Sequence, residues 1–188
     1  MAKMGLKVCG WAKMKTEPDD AVPTYEAGKI IGKMVSLNAT IKNAEGELYA
    51  DDKLAEYLSE FDSGDLSMET DNIGLAEQAD LYGATYTEET KTLAMKPNDT
   101  PPYGQFACYR VLMINGAKKF RAFRYMKVRC QIPDVTDNTR GNSISFGTQP
   151  IKGKIMAPNF GAWYEEIDCE SDAAALTQVK TWLGVAAA

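Results

Sequence analysis

Apolar residues along this chain recur mostly at every second position, the period that puts them on one face of a β-strand. The cleanest run is residues 33–43, where Val35, Leu37, Ala39 and Ile41 fall on one face and Ser36, Asn38, Thr40 and Lys42 on the other. Residues 7–15 alternate loosely through Val8 and Met14, and residues 65–70 alternate through Leu66 and Met68. The strongest turn signal is Asn115-Gly116. It joins two long segments, residues 105–114 and 117–132, and predicts a hairpin closed by a two-residue type I′ turn. Further strands are expected at residues 143–146, 151–156 and 163–168. Two stretches read as helices: residues 73–82, with Asp71 or Asn72 as N-cap and Gly83 as stop, and a closing helix capped by Ser171. In the latter, Leu176, Val179 and Leu183 share a face before Gly184. Residues 16–28, with Pro18, Pro23 and Asp19-Asp20, read as an exposed loop. Strands with short helices predict a mainly β, antiparallel α+β or sandwich-like domain.

Residues 43–64 fit neither period. Leu48, Tyr49, Leu54, Tyr57, Leu58 and Phe61 alternate irregularly with Asp51, Asp52, Glu56, Glu60 and Asp62. The segment is expected to be an extended loop whose aromatics meet a partner surface, or else a short helix or hairpin folded onto its own domain.

The hairpin register is more specific. With Asn115-Gly116 as a two-residue turn, one face collects Tyr109, Val111, Met113, Phe120, Ala122, Met126 and Val128, which is expected to be core. The other collects Cys108, Arg110, Leu112, Lys119, Arg121, Phe123 and Tyr125, with Arg110 directly opposite Arg121. Like charges so placed destabilise a sheet by some tenths of a kcal/mol unless an acid lies over them. Residues 45–90 hold fourteen acids and one base, whereas residues 110–130 hold seven bases and no acid. The two blocks are expected to meet, within one chain or between copies in a head-to-tail contact. Two separately solvated faces are the alternative.

At 188 residues the chain suits one domain, residues 1–188, with a core that needs no disulfides. Cys9, Cys108, Cys130 and Cys169 form no CxxC pair, and the sequence contains no histidine. Zinc binding is not expected, and the His-dependent nucleophilic triads are excluded. A hydrolase using Asp51 and Asp52 is disfavoured, because adjacent strand residues point to opposite faces. No run is long and apolar enough for a membrane span, and no secretion signal is expected. The basic strands at 110–129, with Phe120, Phe123 and Tyr125 interleaved, admit a nucleic-acid-binding reading. The net charge of −5 argues against it, because phosphate neutralisation supplies much of such affinity.

Several stretches then succeed one another in order: Lys3-Met4-Gly5-Leu6-Lys7, Gly28-Lys29-Ile30-Ile31-Gly32-Lys33, Glu47-Leu48-Tyr49-Ala50-Asp51-Asp52 and Ser63-Gly64-Asp65-Leu66. Glu77-Gln78-Ala79-Asp80-Leu81-Tyr82-Gly83, the hairpin at 103–129, Phe146-Gly147-Thr148-Gln149-Pro150 and Gly153-Lys154-Ile155 complete the series. In this succession, spanning nearly the whole chain, the sequence resembles the major tail protein (tail tube protein) family of phages with long, non-contractile tails. Each motif alone is weak.

The resemblance implies an antiparallel β-sandwich or barrel-like tail tube fold with one flanking helix and a short C-terminal helix. It implies hexameric rings stacked into a hollow virion tail, made in the host bacterial cytoplasm, with no catalytic residues, no cofactor and no added immunoglobulin-like C-terminal domain. Partners would be further copies of the chain, a tape measure protein, tail terminator and distal tail or baseplate proteins, and double-stranded DNA passing without specific binding. On this reading Tyr49, Asp51, Asp52, Glu56, Tyr57, Phe61, Arg110, Lys119 and Arg121 are candidates for subunit contacts. Ser36, Asn38 and Thr40, polar and uncharged, are candidates for the lumen. A tube subunit of a contractile tail, bacteriocin or secretion apparatus is the alternative of the same class.

Overall fold

The computed structural model describes residues 2–132 and 147–185, so the strand expected at residues 143–146 lies outside the described residues. The chain runs β1 (Ala2–Thr16), β2 (Thr24–Tyr25), β3 (Lys29–Gly32), β4 (Met34–Ala50), β5 (Lys53–Thr70), α1 (Leu75–Tyr82), β6 (Thr85–Thr87) and β7 (Thr92–Ala94). It continues with β8 (Tyr103–Ile114), β9 (Ala117–Gln131), β10 (Gln149–Ile155), β11 (Tyr164–Cys169) and α2 (Asp172–Leu183). Among the described residues nine strands make one antiparallel sheet in the order β2-β1-β8-β9-β10-β5-β4, and β6 pairs with β7 apart from it. β3 joins β2 along one edge of β1, and β11 joins β10 along one edge of β9. The fold is therefore mainly β and antiparallel. Among the described residues the sheet is open: β4 has β5 on one side and no paired strand on the other.

The β8–β9 hairpin forms as its turn chemistry dictates. Asn115 and Gly116 both take left-handed φ, 50° and 77°, the conformation a type I′ turn requires. Ile114 pairs with Ala117, Arg110 with Arg121 and Cys108 with Phe123. Further from the turn the register slips by one: Phe106 pairs with Tyr125 but Gly104 pairs with Val128, so Met126 and Lys127 together oppose Gln105. This bulge carries Val128 to the face of Phe123 and Tyr125 and corrects its expected place beside Tyr109.

Both faces of the hairpin are buried, which also corrects the assignment of a single core face. Cys108, Phe123 and Tyr125 pack with Trp11, Phe106, Leu66, Met68, Ile151, Ile155 and residues of α1 in the larger core. Ala107, Tyr109 and Ala122 instead lie under α2 and meet Ala175, Val179 and Leu183. Small side chains at Ala12, Ala107 and Ala122 let the helix approach the sheet closely.

Ser171 caps α2 as expected, accepting a hydrogen bond from the Ala174 N–H at 3.1 Å, and Gly184 ends it at φ 65°. α1 starts later than expected. Gly74 is its N-cap, while Asp71 accepts from the Lys33 and Asn72 N–H groups. The C-terminal turn of α2 is tied down by the fully buried Gln105, which donates to the Trp182 carbonyl at 2.5 Å and accepts from Arg124 at 3.3 Å.

Candidate interaction surface

The segment that fitted no period is a projecting β-hairpin, the outer halves of β4 and β5, which corrects the extended loop expected at residues 43–64 and matches the hairpin alternative in form, though exposed and not folded onto its own domain. Its turn is Asp51-Asp52, with φ of 51° and 61°, and Ala50 pairs with Lys53 across it. Aspartate tolerates the left-handed region better than most residues. Register slips occur between Leu48 and Tyr49 and between Lys42 and Asn43, so Ala55 and Asp62 have no partner opposite them. Each slip reverses the faces beyond it, and this is why no single period spans the segment.

Every residue from 43 to 60 is exposed. Leu48, Tyr49, Leu54, Tyr57 and Leu58 are each at least half exposed (50–63%), where a lone domain gains nothing from them. Cross-strand partners share a face, so Tyr49, Leu54 and Tyr57 lie together on one side and Leu48 and Leu58 on the other. Glu45, Glu47, Asp51, Asp52, Glu56 and Glu60 make no ion pair among the described residues; Glu47 accepts a hydrogen bond from Tyr49 at 3.1 Å. Phe61, at the root of the arm, is committed internally and stacks on Trp163 at 4.3 Å.

Within the described chain the basic strands are matched mainly by β11 and not by the acids of residues 45–90, which were expected to meet them within one chain or between copies. Arg121 donates to both oxygens of Asp168, at 2.5 and 2.9 Å, and to Glu166 at 3.0 Å. Arg110 lies over the Phe123 ring at 4.2 Å, donates to the Tyr164 hydroxyl at 2.6 Å and reaches Glu166 at 3.5 Å. One carboxylate thus bridges the two opposed arginines and relieves their repulsion. Arg124 is paired with Glu165 at 2.6 Å and Lys127 with Glu17 at 2.6 Å. The signal missed in the sequence is Glu165-Glu166-Ile167-Asp168, an acidic strand of the right length to lie along β9. Lys119 stays exposed near the hairpin turn, and its charge also lowers the Asp168 pKa.

Ser36, Asn38 and Thr40 are exposed, but their face is not free of charge. Across the register they meet Glu69, Ser67 and Asp65, and Asp65 bridges Lys42 at 2.6 Å and Lys154 at 3.1 Å. Alternation within one strand could not reveal what its neighbours contribute.

Hydrogen bonds from Arg121 hold the Asp168 carboxyl below the usual carboxylate range. Backbone N–H groups do the same for Asp71, led by that of Lys33, and Lys42 with Lys154 for Asp65. Carboxylates with lowered folded pKa contribute stability that is present above the unfolded value of about 3.9 and is lost as pH falls through the folded value. Urea midpoints should hold from about pH 7 to 5 and fall below about pH 4. Asp168→Asn should shallow that fall; an identical acid limb in the variant would show that the pair contributes nothing.

Among the described residues no cluster of Cys, Asp and Glu is arranged to hold a metal. No helix of the described residues is long and apolar enough to cross a membrane. No family model matches the chain, and a comparison with curated proteins finds no match.

Proposed function

We propose that the chain is a structural subunit that assembles with copies of itself into a hollow tube, the tail tube of a long-tailed, non-contractile phage. Its sheet would become part of a barrel-like wall when further subunits are added. The observation that carries this reading is the projecting acidic arm, with apolar residues on both faces and nothing among the described residues to cover them. The outer edge of β4, unpaired among the described residues, supports it, since long open edges are usually blunted or covered. A contact between two different patches of one chain propagates into rings or filaments. Hexameric rings, the tape measure protein and the other tail proteins as partners, passage of double-stranded DNA and location in a virion follow from the family resemblance. The net charge of −5 suits passage of DNA better than its retention.

The nucleic-acid-binding reading loses support from β11. Arg110, Arg121 and Arg124 already have carboxylate partners, and a phosphate backbone would have to displace them. Negative-stain microscopy of the purified protein should show rings or tubes of uniform diameter. Monomer under all conditions, with tape measure protein present as well, would refute the proposal.

A further inference from the structure

The inner part of β4 faces the N-terminal half of β1 across a cleft of about 470 Å³. Among the described residues β3 and β2 cover the outer edge of β1 only from Cys9 onward, with no strand on that side of residues 2–8. Leu6, Val35, Leu37 and Phe123 give the cleft apolar walls, and Lys3 and Arg110 bring cations to it. Arg110 is already held by Tyr164 and Glu166. Lys3 makes no ion pair among the described residues. An unpaired ammonium at a cleft with apolar walls suits an acidic segment with large apolar side chains.

The arm has that chemistry. Tyr49 and Leu54 flank the turn, Asp51 and Asp52 form it, and none of these acids is ion-paired within the described residues. Nor can a straight arm fill the cleft of its own chain: Ala39 lines the cleft and Asp51 lies twelve residues further along one strand, a span of about 40 Å at 3.3 Å per residue. We propose that the cleft between β1 and β4 receives the arm tip of a second copy, with Tyr49 or Leu54 against Phe123 and Leu37, and the turn carboxylates at Lys3. This rests on the self-assembly reading and adds to it the surface that accepts the arm. The contact is head-to-tail, so each subunit gives one arm and accepts another.

Cross-linking between singly substituted chains tests it. Cys169 is replaced by Ser because it is the partly accessible native thiol. Lys3→Cys and Ala50→Cys are then made separately; Ala50 adjoins the turn without its left-handed φ. The two full-length variants are mixed, treated with a short bismaleimide and imaged in parallel. A covalent dimer from the mixture, absent from either variant alone, is expected. Tubes without that dimer, or equal cross-linking of Ala50→Cys with itself, would overturn the acceptor assignment and leave the tube reading standing. Monomers with no cross-link would overturn both. Lys3→Glu should raise the concentration at which assembly begins on the order of tenfold; tubes forming at an unchanged concentration would also overturn it.

Discussion

A chain in which residues 44–60 are replaced by Asn-Gly should stay folded and lose assembly altogether. Asn43 and Phe61 already face each other across the arm's root, so a two-residue type I′ turn closes the shortened hairpin without strain. Phe61 is kept because its ring stacks on Trp163. The deleted residues are all exposed and none belongs to either core cluster. The melting temperature should therefore move by only a few degrees, while sedimentation shows monomer at concentrations where the parent forms large particles. A milder variant separates charge from shape: Asp51→Asn with Asp52→Gly keeps left-handed turn chemistry and removes two negative charges. It should weaken assembly and reduce its salt sensitivity with no change in fold. Unchanged assembly in the deletion would remove the arm from the subunit contact.

Phe106→Ala should have the largest effect on stability. Phe106 is fully buried, its ring lies 4.7 Å from that of Trp11, and it pairs across the hairpin with Tyr125. Cutting such a side chain to a methyl group costs about 3–5 kcal/mol, transfer and cavity together. At about 2–4 °C per kcal/mol for a chain of this size, melting should fall by roughly 6–20 °C. Leu58→Ala on the arm removes a side chain of similar character that is 61% exposed and should change stability by under about 0.5 kcal/mol. Chemical denaturation of the two variants compares them directly. A loss below about 1 kcal/mol at Phe106 would mean that the core does not rest on the β1–β8–β9 contact.

The contrast between these residues explains how much could be read in advance. Asn115-Gly116 announced its hairpin and its register down to the Arg110–Arg121 pair, because a two-residue turn leaves one pairing available. Ser171 and Gly184 bounded α2 for similarly local reasons. The arm was illegible because two register slips break its alternation and because neither face is buried, so burial imposed no pattern. Its Asp-Asp turn lacks the glycine that usually signals such a connection. Within the candidate surface, the arm's acids and aromatics were visible as a composition, whereas the cleft was not, since its walls come from β1, β4, β8 and β9.

By itself, then, the order of residues determined the antiparallel β character, the β8–β9 register, the ends of α2 and the excess of acid between residues 45 and 90. Those features depend on neighbours in the chain, on turn dihedrals and on alternation. Only the tertiary structure decided that both hairpin faces are buried, that β11 supplies the carboxylates for Arg110 and Arg121, and that the arm's acids find no cation among the described residues. Each of those depends on which strands lie side by side, and residues more than forty positions apart along the chain become neighbours only when the sheet has formed.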